Sequence, residues 1–96
     1  MNGRDERVAE RIGRNLWLTR RRVGLSQERL AELCALHRTE ISLVEQGGRI
    51  PRTDTLIKLA SALEVGVGEL VKGIAWAAPA TERPGRFAVD KPFERG

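Results

Sequence analysis

The sequence predicts an all-α domain of five short helices, followed by an extended tail or a short strand. Three observations lead there. Apolar residues recur every third or fourth position in successive segments, glycine, serine and proline punctuate the gaps between them, and three of the four prolines fall in the last eighteen residues. With 96 residues there is room for one small domain, which buries about 60–65% of its unfolded surface.

From Glu6 to Val23 the residues Val8, Ala9, Ile12, Leu16 and Val23, with Thr19 among them, fall in one sector at 100° per residue, which defines helix one and its inner face. Gly24 follows where a left-handed cap is wanted. Ser26 offers the hydroxyl that caps helix two, although Arg29 stands where a full capping box has Glu or Gln. Helix two runs to about Cys34 and buries Leu30, Ala31 and Cys34, with Leu33 at its margin. After the connector Ala35-Leu36-His37, helix three spans about Arg38 to Gln46, with Ile41, Val44 and Glu45 turned inward, and ends at Gly47-Gly48.

Pro51 forbids helix through the residue before it, so Arg49 to Thr53 is a loop. Helix four follows with Leu56, Leu59, Ala60 and Leu63 at i, i+3, i+4 and i+7. Gly66 serves as the next N-cap with Glu69 three residues on, and Val67, Leu70, Val71 and Ile74 mark helix five, which must stop before Pro79. The domain is therefore expected over residues 6–76, with a proline-containing tail at 77–96. Within the tail, Arg86 to Val89 alternates weakly, and composition leaves a short strand and a mobile tail equally open.

Composition narrows the chemistry. The 17 Lys and Arg against 13 Asp and Glu give a formal net charge of +4, mostly from arginine, which favours a polyanionic partner. Cys34 is the one cysteine, so an intramolecular disulfide and a multi-cysteine metal cluster are both excluded, and a reducing compartment is the expectation. No apolar run approaches the roughly 20 residues of a membrane span, and MNGRDERVAERIG lacks the apolar stretch of a signal peptide. The chain reads as cytoplasmic. No nucleophile stands with a base at a recognisable spacing, no metal-ligand cluster and no phosphate-cradling glycine loop is present, so no enzymatic activity, metal or cofactor is expected.

Helices two and three are too short to persist in isolation and must lean on the other three. Ala31 at their crossing lets the backbones approach, while Leu30, Cys34, Leu36, Ile41 and Val44 form a shared interior, which is helix-turn-helix geometry. Here the sequence resembles the Cro and cI repressor-like family of helix-turn-helix proteins. The resemblance rests on LSQERLA, on HRTEISLVEQG and on PRTDTLIKLASALEV leading into VGELV, and it covers Glu6 to about Ile74. It implies a five-helix bundle that binds duplex DNA, usually as a homodimer on a pseudo-palindromic operator, with helix three in the major groove.

Carried onto this sequence, the resemblance makes Arg38, Thr39, Ser42, Leu43 and Gln46 the base contacts, all turned away from Ile41 and Val44 on the wheel. Gln27 becomes a phosphate clamp and a first contact with the operator; by its own chemistry His37, at the mouth of helix three, reads as a cap or phosphate contact, and Arg49 and Arg52, in the loop after that helix, as backbone anchors. Arg38 has the planar fork that matches O6 and N7 of guanine. The family also pairs the glutamate at position 45 with an arginine of helix one, here Arg20. In the turn, Ala35 stands where the family most often has glycine, so a left-handed alanine is expected.

Ordinary roles compete for some of these residues. Cys34 is better read as a small core residue than as a redox sensor, and two of Arg20, Arg21 and Arg22 as surface charge. Trp17 and Leu18 fall outside the helix-one core sector, and Trp76, Phe87 and Phe93 have no evident home. The tail is therefore expected either to fold back over Trp17 or to join a dimer or protein-partner contact. Transcriptional repressor is the leading expectation. An antitoxin, or a protein-interaction module on the same scaffold, is the alternative.

Overall fold

A computed structural model describes residues 5–90; the predicted role of Phe93 lies outside the described residues. The chain forms α1 (Glu6–Val23), α2 (Gln27–Cys34), α3 (Arg38–Glu45), α4 (Thr53–Ala62), α5 (Val67–Leu70), β1 (Ile74–Ala77) and β2 (Arg86–Val89). The five helices are present, but the fold is mostly helical rather than all-α, because β1 and β2 pair as an antiparallel hairpin.

The core lies where the helical periodicity puts it. Leu16, Leu30, Ile41, Leu59, Leu63 and Leu70 are fully enclosed, one from each of the five helices together with Leu63 at the C-cap of α4. Each contributes about 1.5–3 kcal/mol by leaving water. The caps follow local chemistry. Asp5 accepts from the Arg7 amide at 2.9 Å to start α1, and Ser26 Oγ accepts from the Arg29 amide at 3.0 Å to start α2. Gly24, at φ 87°, closes α1.

One residue of the predicted helix-one core is not in it. Val23, the last residue of α1, is 42% exposed. Beyond Gly24 the chain reverses, and Leu25 donates its amide to the Arg20 carbonyl at 3.1 Å and packs on the core instead.

A second departure is the end of helix five. Ile74, expected on that helix, begins β1. Four residues satisfy a helical and an alternating pattern equally well, so spacing does not decide between them. Side chains of α1 decide instead: Asn15 Nδ2 donates to the carbonyls of Leu70 at 3.0 Å and Lys72 at 2.9 Å, and Arg11 Nε donates to Lys72 at 3.0 Å. Gly73, at φ 85°, then turns the chain into the strand.

In the hairpin Ile74 faces Val89 and Trp76 faces Phe87. Ile74 and Val89 pack on the bundle core. Trp76 and Phe87, on the same face but farther out, meet edge to face at 5.1 Å and stay substantially exposed. Arg7 Nη2 donates to the Phe87 carbonyl at 3.0 Å, tying β2 to the first turn of α1. The C-terminal segment thus folds back on α1 near its start, while the guanidinium of Arg21 covers the Trp17 ring at 5.0 Å.

Candidate nucleic-acid interface

Two features fix α3. Gly13 of α1 lies against its backbone so closely that a Cβ there would sit 2.4 Å from the Val44 carbonyl oxygen and 2.7 Å from that of Glu45. The second is a buried ion pair: Arg20 Nη2 donates to Glu45 Oε1 at 3.0 Å and Arg20 Nε to Oε2, while Arg20 Nη1 donates to the Leu25 carbonyl at 2.9 Å. One guanidinium therefore holds α1, α3 and the entry to α2 in register.

The turn between α2 and α3 is closed by Ala35 in the left-handed region at φ 54°, with the Leu36 amide donating to the Ala31 carbonyl at 2.9 Å. His37 occupies the N-cap position of α3 with an extended backbone, but its exposed ring makes no capping hydrogen bond. At the other end Gly47, at φ 74°, and Gly48, whose amide donates to the Leu43 carbonyl at 2.9 Å, stop the helix.

With the inner face so fixed, the outer face of α3 presents Arg38, Thr39 and Gln46 to solvent and Ser42 half-buried between them. Gln46 Nε2 donates to Ser42 Oγ at 3.0 Å. Leu43 is half-buried and lies over Gly48, where a Cβ would meet its Cδ1 at 2.5 Å. Arg49 and Arg52 are exposed in the following loop, 3.8 Å from Glu40 and 3.4 Å from Asp54 respectively. Exposed pairs of this kind are weak and open readily to a phosphate.

Gln27 connects the interior to this face. Its Nε2 donates to Glu45 Oε1 at 2.9 Å, and its Oε1 accepts from Arg38 Nη1 at 3.2 Å. A carboxylate only accepts, so the amide has one possible orientation, and that orientation presents a carbonyl to Arg38. Sequence reasoning missed this link, and it missed Glu28, whose Oε2 stands 3.6 Å from Arg38 Nε. The available signal was an acidic residue beside Gln27 in the first turn of α2, which on a wheel looks like any solvated carboxylate.

Cys34 takes no part in the face. Its buried Sγ donates to the Lys58 carbonyl at 3.4 Å, and burial pushes the thiol pKa up, against a smaller opposing pull from the Lys58 charge. Among the described residues no group of His, Cys, Asp and Glu is placed to hold a metal ion, and no helix is long and apolar enough to cross a membrane.

Apart from Gly13, the residues that make these contacts lie within a match to the helix-turn-helix family model over residues 18–70, more than half of the chain. The chain belongs to the Cro/cI-type helix-turn-helix family. Among its relatives is control protein C.SmaI of Serratia marcescens, 42% identical over 64 residues, which are 67% of this chain and 76% of that protein. The crystal structure of the restriction-modification controller protein C.AhdI from Aeromonas hydrophila matches with a TM-score of 0.63 and 39% identity, over 65% of this chain and 94% of that one. A hypothetical transcription factor from Neisseria, NHTF, matches with a TM-score of 0.64 and 35% identity, over 71% and 79%. This helix-turn-helix protein is a DNA-binding transcriptional regulator.

Proposed function

We propose that this regulator binds a two-fold symmetric operator as a homodimer in the cytoplasm, represses by occluding the promoter, and controls a restriction-modification operon. The observation that carries the DNA half of this reading is the outer face of α3, where Arg38, Thr39, Ser42 and Gln46 line one side of a helix whose other side is locked by Gly13 and Arg20–Glu45. A rigid inner face is what base reading requires, since side chains on a loose helix cannot hold a register on base edges. Arg38 and Thr39 enter first as base contacts, with Ser42, Leu43 and Gln46 behind them, while Gln27, His37, Arg49 and Arg52 serve the phosphates. The role in restriction-modification control is supported by the similarity to C.SmaI and C.AhdI.

The division of labour we propose is between the bundle, residues 6–76, which reads DNA, and residues 77–96, which complete a contact between copies. The exposed Phe87, which meets Trp76 at the boundary of the two parts, supports the second part, because an overhanging aromatic pair gains by being covered. If the same surface takes a different protein, an antitoxin-like role follows, and a co-purifying partner is its signature. Selection of bound sites from random duplex DNA, with Arg38→Ala in parallel, tests the main reading. It is upheld by an inverted repeat that the variant loses. A folded protein that enriches nothing overturns it in favour of a protein-interaction module.

A further inference from the structure

We propose that Glu28 is a specificity-determining residue: it restrains Arg38 on the protein until a correctly placed base edge takes the guanidinium over. The inference rests on the reading of Arg38 as a base contact. Arg38 is the first residue of α3 and its side chain is half exposed, yet it is held from two sides. Gln27 accepts from Nη1, with its own amide fixed by the buried Glu45, and the carboxylate of Glu28 stands against Nε at 3.6 Å. Nη2 carries no hydrogen bond among the described residues, so part of the fork remains open outward.

The two restraints differ in kind. The Gln27 contact is anchored to the core through Glu45 and Arg20, so it sets where the guanidinium lies. Glu28 is 70% exposed at its side chain, and its hold on Arg38 is an exposed ion pair, weak enough to yield to two guanine acceptors. On a duplex without the right base, Arg38 stays neutralised by Glu28 and adds little to general attraction for phosphates. Sequence-independent affinity is thereby lowered, and the ratio of operator to random binding is raised.

Glu32 supplies a matched control. It lies one turn along the same helix, with the same charge and a 68% exposed side chain, but its partner is Arg29 at 3.6 Å. The test measures binding of the full chain to a random-sequence duplex, and to the sites selected above, across a salt series for wild type, Glu28→Gln, Glu32→Gln, Arg38→Ala and the double variant Glu28→Gln/Arg38→Ala. Expected for Glu28→Gln is a gain of about three-fold on random duplex and a similar loss in the operator-to-random ratio. Its log–log salt slope should steepen by about 0.9, one further phosphate contact. Glu32→Gln should show neither change, and the gain should vanish when Arg38 is also absent.

The proposal is overturned if the gain persists in the Arg38→Ala background, which makes Glu28 a plain repulsive charge. It is also overturned if Glu28→Gln and Glu32→Gln behave alike, or if Glu28→Gln changes the preferred base at one position without any gain on random DNA, which makes it a direct reader. Should wild type enrich no site at all, base reading fails on its own, and the random-duplex arm still decides whether Glu28 restrains Arg38.

Discussion

Along α1, the side that meets α3 and the side that meets α5 and the hairpin solve the same problem with different chemistry. Toward α3 the contact is backbone against backbone at Gly13 and charge against charge at Arg20–Glu45, both buried. Toward the C-terminal elements it is side chain against carbonyl: Arg7 on Phe87, Arg11 on Lys72, Asn15 on Leu70 and Lys72. The first arrangement tolerates almost no displacement, because overlap at Gly13 or a lost carboxylate has nowhere to be absorbed. The second only terminates strands and helices, so a lost bond loosens an end. That difference matches the two jobs, since α3 needs a fixed register and the hairpin only needs to be held in place.

Glu45→Ala attacks the α3 contact most directly. It leaves Arg20 buried without its carboxylate and Gln27 without its anchor, which should destabilise by about 3–5 kcal/mol. For a domain of this size that lowers the melting temperature by roughly 15–30 °C. An unchanged melting temperature would mean that the pair orients α3 without supporting the fold. Gly13→Ala comes next, at about 2–3 kcal/mol, since two backbone carbonyls stand where the methyl must go and α3 has to move outward to admit it. Because that movement displaces the reading face, specific DNA binding measured at a temperature where the variant is folded should fall as well. Wild-type binding by a destabilised Gly13→Ala would show that the register is set elsewhere.

On the other side, Asn15→Ala should have a smaller effect, about 1–2 kcal/mol, by stripping the Leu70 and Lys72 carbonyls of a shared donor. Amide hydrogen exchange localises the effect: protection is expected to drop in α5 and β1 and to persist in α3. Uniform loss across both would dissolve the distinction between the two sides.

What could be read from the sequence divides along the same line. The inner faces of α1 to α4 and the caps at Ser26 and Gly24 come from periodicity and local hydrogen-bond chemistry, which are written in neighbouring residues. The outward row from Arg38 to Gln46 is the complement of the inner face and is legible for that reason. Gly13 was not, because a glycine inside a helix leaves a gap in the pattern and only the partner's backbone shows what the gap is for. Nor was the end of α5, which depends on donors 55 and 57 residues away in α1. The hold of Gln27 and Glu28 on Arg38 also spans two helices, and each of the three residues taken alone looks like ordinary polar surface.

The smallest predicted effect has the opposite sign and concerns the turn that sets α3 against α2. Gly24, Gly47, Ala35 and Glu64 all adopt positive φ as their helices end, at 87°, 74°, 54° and 58°. Two of these are glycine, for which the conformation is free of the steric penalty a Cβ brings, and two are not. Ala35 is exposed and its amide donates to the Glu32 carbonyl at 3.2 Å, a backbone bond that does not depend on the side chain. Ala35→Gly removes a Cβ strain of about 1–2 kcal/mol and widens the freedom of the unfolded chain at a cost of about 0.4–1 kcal/mol, two effects that oppose each other and leave a net gain of roughly 0.5–1 kcal/mol. The variant should therefore melt a few degrees higher while selecting the same DNA sites. A lower melting temperature would mean that unfolded-chain entropy outweighs the strain, and that the turn is held by the contacts of Leu36 with the core rather than by relief at Ala35.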